Sequence, residues 1–484
     1  MSDLSAAKQE LVRRLLRGRI GADSSARLAD LGFARSTPML QHDPAGRFDK
    51  FPLTEMQQAY WVGRQRSLEL GNVAIHSYLE IHMDALDVDR LERAWNAVIR
   101  RHDVLRAIIH SDGYQQTLRD VGEYRIHTEA CATRGECDAR RAQLRDRMSH
   151  EVFDTERWPL FALAVTQGPD SGVVLHVSVD GVLIDAWSLG IVIRECLELY
   201  ESPDLQLPEL AITFRDYVMA RRLLRDRPSY QESLSWWRRR LETMPGPPDL
   251  PLLRQPRMLR NPKFVRRSGE LDAAKWRRLR QKAGAEGITP PCLMLTLYAE
   301  VLSRWASNRK FTLNVPRFDR PAAHPQIDDL VGEFASFTLL ICDLSRPATL
   351  LERCRHLQQQ MWEALEHGDV DGLTVIRELI RMRGRGGASF PVVLTANPSL
   401  GSHRPRAATT ALPWRVVHAI TQTPQIWLDF QVGERDECLS FNWDAVDELF
   451  PPGLLDEANE AFRGLVEALA EDESRFNHPV ASGC

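Results

Sequence analysis

Apolar residues recur along this 484-residue chain with two different periods, and the period changes several times. Val173-Val-Leu-His-Val-Ser-Val179 is an almost unbroken apolar run of the length of a strand buried on both faces. A second apolar run, Ser188 to about Tyr200, has helical length and follows directly. Earlier, Asp87 stands before an amphipathic pattern in which Leu91, Ala94, Trp95 and Val98 share one side, which predicts a capped helix. Residues 1–45 read as a helical prelude striped by Leu11, Leu15 and Leu16 and ended by Pro38 and Pro44. The stretch Met244-Pro-Gly-Pro-Pro-Asp-Leu-Pro cannot continue a helix and reads as a linker. Beyond it the pattern restarts, with helices expected near 272–283, 290–306, 348–367 and 446–470. Strands are expected at Phe311–Val315, Phe337–Cys342, Pro391–Leu394, Ile426–Val432 and Leu439–Trp443. Strands mixed with helices on both sides of one linker predict two similar α/β lobes, 46–245 and 246–484, the second with crossover segments. The crevice between two such lobes is a usual place for a site.

Composition narrows the function. Lys+Arg 62 against Asp+Glu 66 leaves a formal net charge of -4, which argues against a nucleic-acid binder. No apolar run approaches the roughly 20 residues needed to cross a bilayer, and the segment after Met1 is charged rather than signal-like. The eight cysteines lack paired spacing, so no zinc site is expected and a cytoplasmic protein with free thiols is the simplest account.

Several separated motifs then stand out. Phe51-Pro-Leu-Thr-Glu-Met-Gln-Gln-Ala-Tyr-Trp-Val-Gly-Arg64 is followed by Arg101-His-Asp-Val-Leu-Arg-Ala107, and then by an Asp-x4-Asp-x2-Ser pattern at Asp180, Asp185 and Ser188. In the second half come Leu313-Asn-Val-Pro-Arg-Phe-Asp-Arg320, Val331-Gly-Glu-Phe334 and Pro391-Val-Val-Leu-Thr395. Thr421-Gln-Thr-Pro-Gln-Ile-Trp-Leu-Asp-Phe-Gln431 and Phe441-Asn-Trp-Asp444 close the set. In this order, over residues 50–455, they resemble the heterocyclization domains of nonribosomal peptide synthetases, within the condensation-domain superfamily. The resemblance implies a pseudo-dimer of two chloramphenicol-acetyltransferase-like lobes forming a V with a tunnel between them. It also implies an acyltransferase and cyclodehydratase, working for example in siderophore assembly. A carrier-bound acyl thioester is joined to carrier-bound Cys, Ser or Thr, and the amide is closed to a thiazoline or oxazoline with loss of water. No cofactor of its own is implied. Phosphopantetheine arms of an upstream donor and a downstream acceptor carrier domain would bring the substrates.

By the same resemblance, Thr395 and Asp429 take part in ring closure and Asn314 helps to position. Their plainer readings are a strand end, an outward strand residue and a loop contact. Asp180, Asp185 and Ser188 are read as largely structural, with Arg106 as the candidate partner of Asp185, because half of a buried ion pair is strongly destabilising. A second frame also fits the centre: His176-Val-Ser-Val-Asp180-Gly181 satisfies the His-x3-Asp-Gly of ordinary condensation domains. His176 is read as a core histidine, and Gly181 departs from the large aliphatic residue usual in the heterocyclization pattern. Two rivals remain: an ordinary condensation domain that uses His176 for amide formation only, and a non-catalytic condensation-like module that recruits another protein.

Overall fold

The structure is a computed structural model that describes residues 40–65, 70–168, 172–259, 261–321, 323–384, 387–397 and 414–478. Of the helical prelude expected over 1–45, only residues 40–45 are described, and these are loop and turn. The strands of the first half are β1 (Phe51–Pro52), β2 (His76–Met83), β3 (Ala107–Ile109), β4 (Tyr114–Thr117), β5 (His127–Ala130), β6 (Phe161–Gln167) and β7 (Val173–Asp180). Those of the second half are β8 (Phe264–Leu271), β9 (Lys310–Phe318), β10 (Ala335–Asp343), β11 (Val392–Ala396), β12 (Trp414–Gln422), β13 (Leu428–Arg435) and β14 (Cys438–Val446). The helices are α1 (Glu55–Gly63), α2 (Val88–Arg101), α3 (Arg134–Met148), α4 (Ala186–Glu201), α5 (Phe214–Leu223) and α6 (Pro228–Leu241). After the Pro-rich stretch come α7 (Ala273–Ala285), α8 (Pro290–Leu302), α9 (Leu350–Glu366), α10 (Gly372–Arg383) and α11 (Leu454–Glu471).

These strands form a three-stranded sheet β1-β4-β3, a five-stranded sheet β12-β2-β7-β6-β5 and a six-stranded sheet β10-β9-β11-β13-β14-β8. Strand β7 lies between β2 and β6, and all of its residues are buried, as its near-continuous apolar run requires. Helix α4 begins where Asp185 accepts a hydrogen bond from the Ser188 backbone, so the Asp-x2-Ser spacing is also an N-cap. Helix α8 starts on a Pro pair at its first turn, where no N–H is needed, and is buried from Cys292 to Leu302. Its Tyr298 stacks on Phe430 at 4.7 Å, and Phe430 in turn packs against Phe462 of α11 at 4.6 Å.

One expectation is corrected. The last helix starts at Leu454, not near 446: β14 runs to Val446, and Pro451 and Pro452 cannot sit inside a helix. Strand β12, from the second half of the chain, joins the first-half sheet along β2, with Thr421 opposite Ser77 and Trp414 opposite Met83. Among the described residues, no helix is long and apolar enough to cross a membrane, and the seven described cysteines are free.

Candidate active site

The six-stranded sheet has one apolar and one polar face, and the register shows why. Side chains alternate along a strand and residues paired across strands point the same way. Asn314 pairs with Val393, Val393 with Asp429, Asp429 with Asp444, and Asp444 with Arg266, so one row crosses five strands on a single face. The neighbouring row on that face runs Thr395, Gln431, Asn442, Ser268. The alternate positions, Leu394, Phe430 and Trp443 among them, are buried in the core on the other side.

On the polar face the side chains form one connected chain of bonds. Thr395 Oγ1 donates to Asp429 Oδ1 at 2.7 Å, and Gln431 Nε2 donates to Asp429 Oδ2 at 2.8 Å. The same Gln431 nitrogen donates to Thr421 Oγ1, and Thr421 Oγ1 donates to Asp444 Oδ2 at 2.8 Å. Arg266 closes the circuit. Its Nε donates to Asp444 Oδ1 at 2.6 Å, and its Nη2 reaches both Asp444 Oδ2 and, at 2.9 Å, Gln431 Oε1. Asp429 is 8% exposed, and burial pushes its carboxyl up to about 6, with Asp444 adding to the rise. The bonds from Gln431 and Thr395 and the charge of Arg266 pull the other way without cancelling burial. Asp429 therefore changes charge near neutral pH, where a group that takes and returns a proton is most effective. Asn314 lies in the same row, and its Oδ1 is buried without a hydrogen-bond partner among the described residues.

The first-half motifs form a second set of contacts. Arg64, at the end of α1, makes a two-pronged bond to Asp180, 2.9 Å to Oδ2 and 2.8 Å to Oδ1. The arginine facing Asp185 is Arg320, with its Nη2 3.5 Å from Oδ1, and not Arg106. Arg106 instead bonds Asp103 at 2.6 Å and the carbonyls of Leu118 and Arg119, because its short 3-10 turn faces that loop. Ser188 Oγ donates to the Gly332 carbonyl and receives a bond from Arg320, each at 2.8 Å. Asp185 Oδ2 receives the Phe334 amide at 3.2 Å, so the central motif ties the two halves of the chain together. Tyr60 of α1 is buried within reach of carboxylates from both halves of the chain. Burial raises its phenol pKa, and the carboxylates that add to the rise are Glu333, Asp371, Asp185 and Asp429.

His176 is fully buried in β7, its ring nitrogens bonded to Tyr78 Oη at 2.7 Å and to Thr166 Oγ1 at 3.1 Å. Burial lowers its pKa to about 4, so it is neutral in the core. At Gly181, a Cβ would come within 2.6 Å of Ile75 Cγ1, so Ile75 occupies the space a larger residue would need. Among the described residues, no group of three His, Cys, Asp or Glu side chains is placed to hold a metal.

Comparison with known proteins decides the family. The condensation domain profile matches residues 48–480. The solved cyclization-docking bidomain of the EpoB nonribosomal peptide synthetase from Sorangium cellulosum superposes with a TM-score of 0.83 at 36% identity, covering 94% of this chain and 91% of that one. This chain is a cyclization domain of the condensation family. The pyochelin synthetase PchF of Pseudomonas aeruginosa is 36% identical over 440 residues, 90% of the cyclization domain but 24% of PchF. Phenyloxazoline synthase MbtB of Mycolicibacterium paratuberculosis is 36% identical over 448 residues, 91% of the cyclization domain and 37% of MbtB. The cyclization domain thus spans about a quarter to a third of these two curated relatives.

The structure brings Thr395 and Asp429 into direct contact and sets Asn314 in the same row. Gln431, Asp444, Thr421, Arg266, Arg64, Arg320 and Glu333 are site residues that sequence reasoning did not single out. Alternation held a signal for the first two, since Asp429 and Gln431 fall two apart on one expected strand and Asp444 falls two beyond Asn442, just past the end of another. Two adjacent arginines, Arg266 and Arg267, carry no pattern that marks a buried partner, and Glu333 lies within the Val331–Phe334 motif, where nothing assigns it a role of its own. Burial and Asp185 hold the Glu333 carboxyl pKa well above the usual range.

Proposed function

We propose that this cyclization domain joins an acyl group on one phosphopantetheine arm to Cys, Ser or Thr on another, then closes the amide to an azoline ring. The observation that carries the reading is the Thr395–Asp429 contact on the polar sheet face, with the Asp429 carboxyl pushed up to about 6. Upstream and downstream carrier domains would deliver the arms into a tunnel between two lobes arranged as a V. Tyr60, facing carboxylates from both halves, supports that arrangement. The word oxazoline in the name of one relative supports a five-membered ring product. Pyochelin in the other supports siderophore-type assembly, in the cytoplasm with its carriers.

Amide formation starts from an activated thioester, and alignment of two tethered reactants supplies about 7–11 kcal/mol of the barrier. No histidine base is needed for that step. Ring closure is harder, because the side-chain thiol or hydroxyl must attack an amide carbonyl and its oxygen must leave as water. Asp429 takes the proton of the attacking group and gives it to the carbonyl oxygen, then takes the amide N–H proton and gives it to the departing hydroxyl as the C=N bond forms, and Thr395 orients it. Such transfers are worth about 10²–10⁴-fold. Purified protein supplied with an acyl-loaded donor carrier and a cysteine-loaded acceptor carrier tests this by mass spectrometry. Wild type gives product one water lighter than the linear amide, whereas Asp429→Ala and Thr395→Ala stop at the linear amide. Abundant ring from Asp429→Ala would remove Asp429 from the chemistry.

A further inference from the structure

The bonds around Asp429 have directions as well as lengths. A guanidinium carries only donors, so the Gln431 atom that faces Arg266 at 2.9 Å must be its oxygen. That turns the Gln431 amide nitrogen toward Thr421 and Asp429, and both of its N–H groups are then committed. Thr421 accepts one of them, and its own proton goes to Asp444, which Arg266 grips with Nε and Nη2. Asp429 Oδ2 accepts the other N–H, so a proton on Oδ2 would face a donor. Among the described residues the partner of Oδ1 is the Thr395 hydroxyl at 2.7 Å, which, unlike the held amide, can turn its proton away, so Oδ1 is the oxygen open to protonation.

We infer that Arg266, held by Asp444, is a positioning residue that locks the Gln431 amide and makes Thr395 the only route by which Asp429 exchanges a proton. Asp444 is fully buried and Arg266 nearly so, so the pair does not swing aside with solvent. Asp429 is likewise buried, whereas Thr395, bonded to it, is half-buried. In ring closure, the proton of the attacking thiol or hydroxyl binds Thr395 Oγ1 as the Thr395 proton passes to Asp429 Oδ1. The reverse transfer places that proton on the carbonyl oxygen, giving the tetrahedral hydroxyl; a second passage takes the amide N–H proton and delivers it to this hydroxyl, which leaves as water as the C=N bond forms, and both residues return to their starting state.

This inference rests on the acid–base reading of Asp429, and the experiment separates the two. The probe is the linear N-benzoyl-cysteinyl thioester of phosphopantetheine, and the readout is the pH midpoint of ring closure. Carboxyl NMR titration of aspartate-labelled protein, with the Asp429 signal identified by its loss in Asp429→Asn, reads the same group without substrate. Gln431→Met removes the N–H that favours the Asp429 anion and leaves the buried ion pair intact. Arg266→Met combined with Asp444→Leu removes the lock without stranding a buried charge. Gln431→Met is expected to raise the midpoint by about one pH unit or more in the wild-type background, a tenfold loss of ionised Asp429 on the acid side, and to leave it unmoved in the Arg266→Met/Asp444→Leu background, where the amide is no longer held. Arg266→Lys, also donor-only, is expected to restore the wild-type midpoint. An unmoved midpoint in Gln431→Met, or an equal rise on adding Gln431→Met to the folded double variant, overturns the inference. Ring formation by Asp429→Asn would instead overturn the reading of Asp429 itself.

Discussion

Asp185 belongs to the central motif, and replacing it by alanine asks whether that motif is framework or chemistry. Three contacts are lost together. The cap on α4, a 2.7 Å bond from the Ser188 amide, is worth about 1 kcal/mol. The Phe334 amide is left without its acceptor, at about 1–3 kcal/mol. Arg320, 4% exposed, keeps its charge but loses the carboxylate beside it, which costs about 3–5 kcal/mol when a buried pair is halved. Arg320 also donates to the Ile327 and Leu330 carbonyls and to Ser188, which softens that last cost. The effects overlap, and a loss of about 4–6 kcal/mol is expected. Burial raises the Asp185 pKa and lowers that of Arg320, so each group is costly to bury and the pair is not a net source of stability. Asp185→Ala with Arg320→Met is therefore expected to be more stable than Asp185→Ala alone by about 2 kcal/mol. Urea denaturation followed by tryptophan fluorescence measures both. If Asp185→Ala were within about 1 kcal/mol of wild type while amide formation fell about 10²-fold, Asp185 would belong to the chemistry and the structural argument would be refuted.

Further outcomes follow from the same structure. Ring closure should rise with pH through about 6 as Asp429 ionises, measured with a preformed linear amide, and a profile flat between pH 5 and 7 would exclude Asp429 as the base. Gly181→Leu should cost about 1–3 kcal/mol by overpacking against Ile75, and Ile75→Ala in the same chain should recover much of it in a denaturation assay. His76 and His176 are both held at about 4 by burial, so the unfolded chain binds protons more readily. Their contribution is complete above pH 6.5 and falls as pH drops toward 4, by about 2 kcal/mol each at pH 5. His176→Gln should lose about half of that acid sensitivity, and an unchanged difference between denaturation at pH 7.5 and pH 5 would show that the ring is not held neutral.

Sequence alone determined the local elements and the family. The apolar run of β7, the Asp87 cap of α2 and the strands around Thr395 and Asp429 were legible because burial and periodicity are written residue by residue. The ordered motifs named Asp429 and Thr395 as a pair 34 positions apart. What they could not state is that both lie on one face of a sheet, since register depends on pairing between distant strands. Strand β8 was invisible because its two arginines look solvated until Asp444 and Asp447 face them. Arg320 faces Asp185 in place of the expected Arg106, because an isolated arginine carries no mark of its partner. The crossover of β12, which brings Thr421 of one sheet to Asp444 and Gln431 of another, is likewise a fact of topology. Ion-pair partners, amide directions and a carboxyl pKa near 6 arise from groups distant in the chain meeting away from water, and only the folded arrangement supplies that environment.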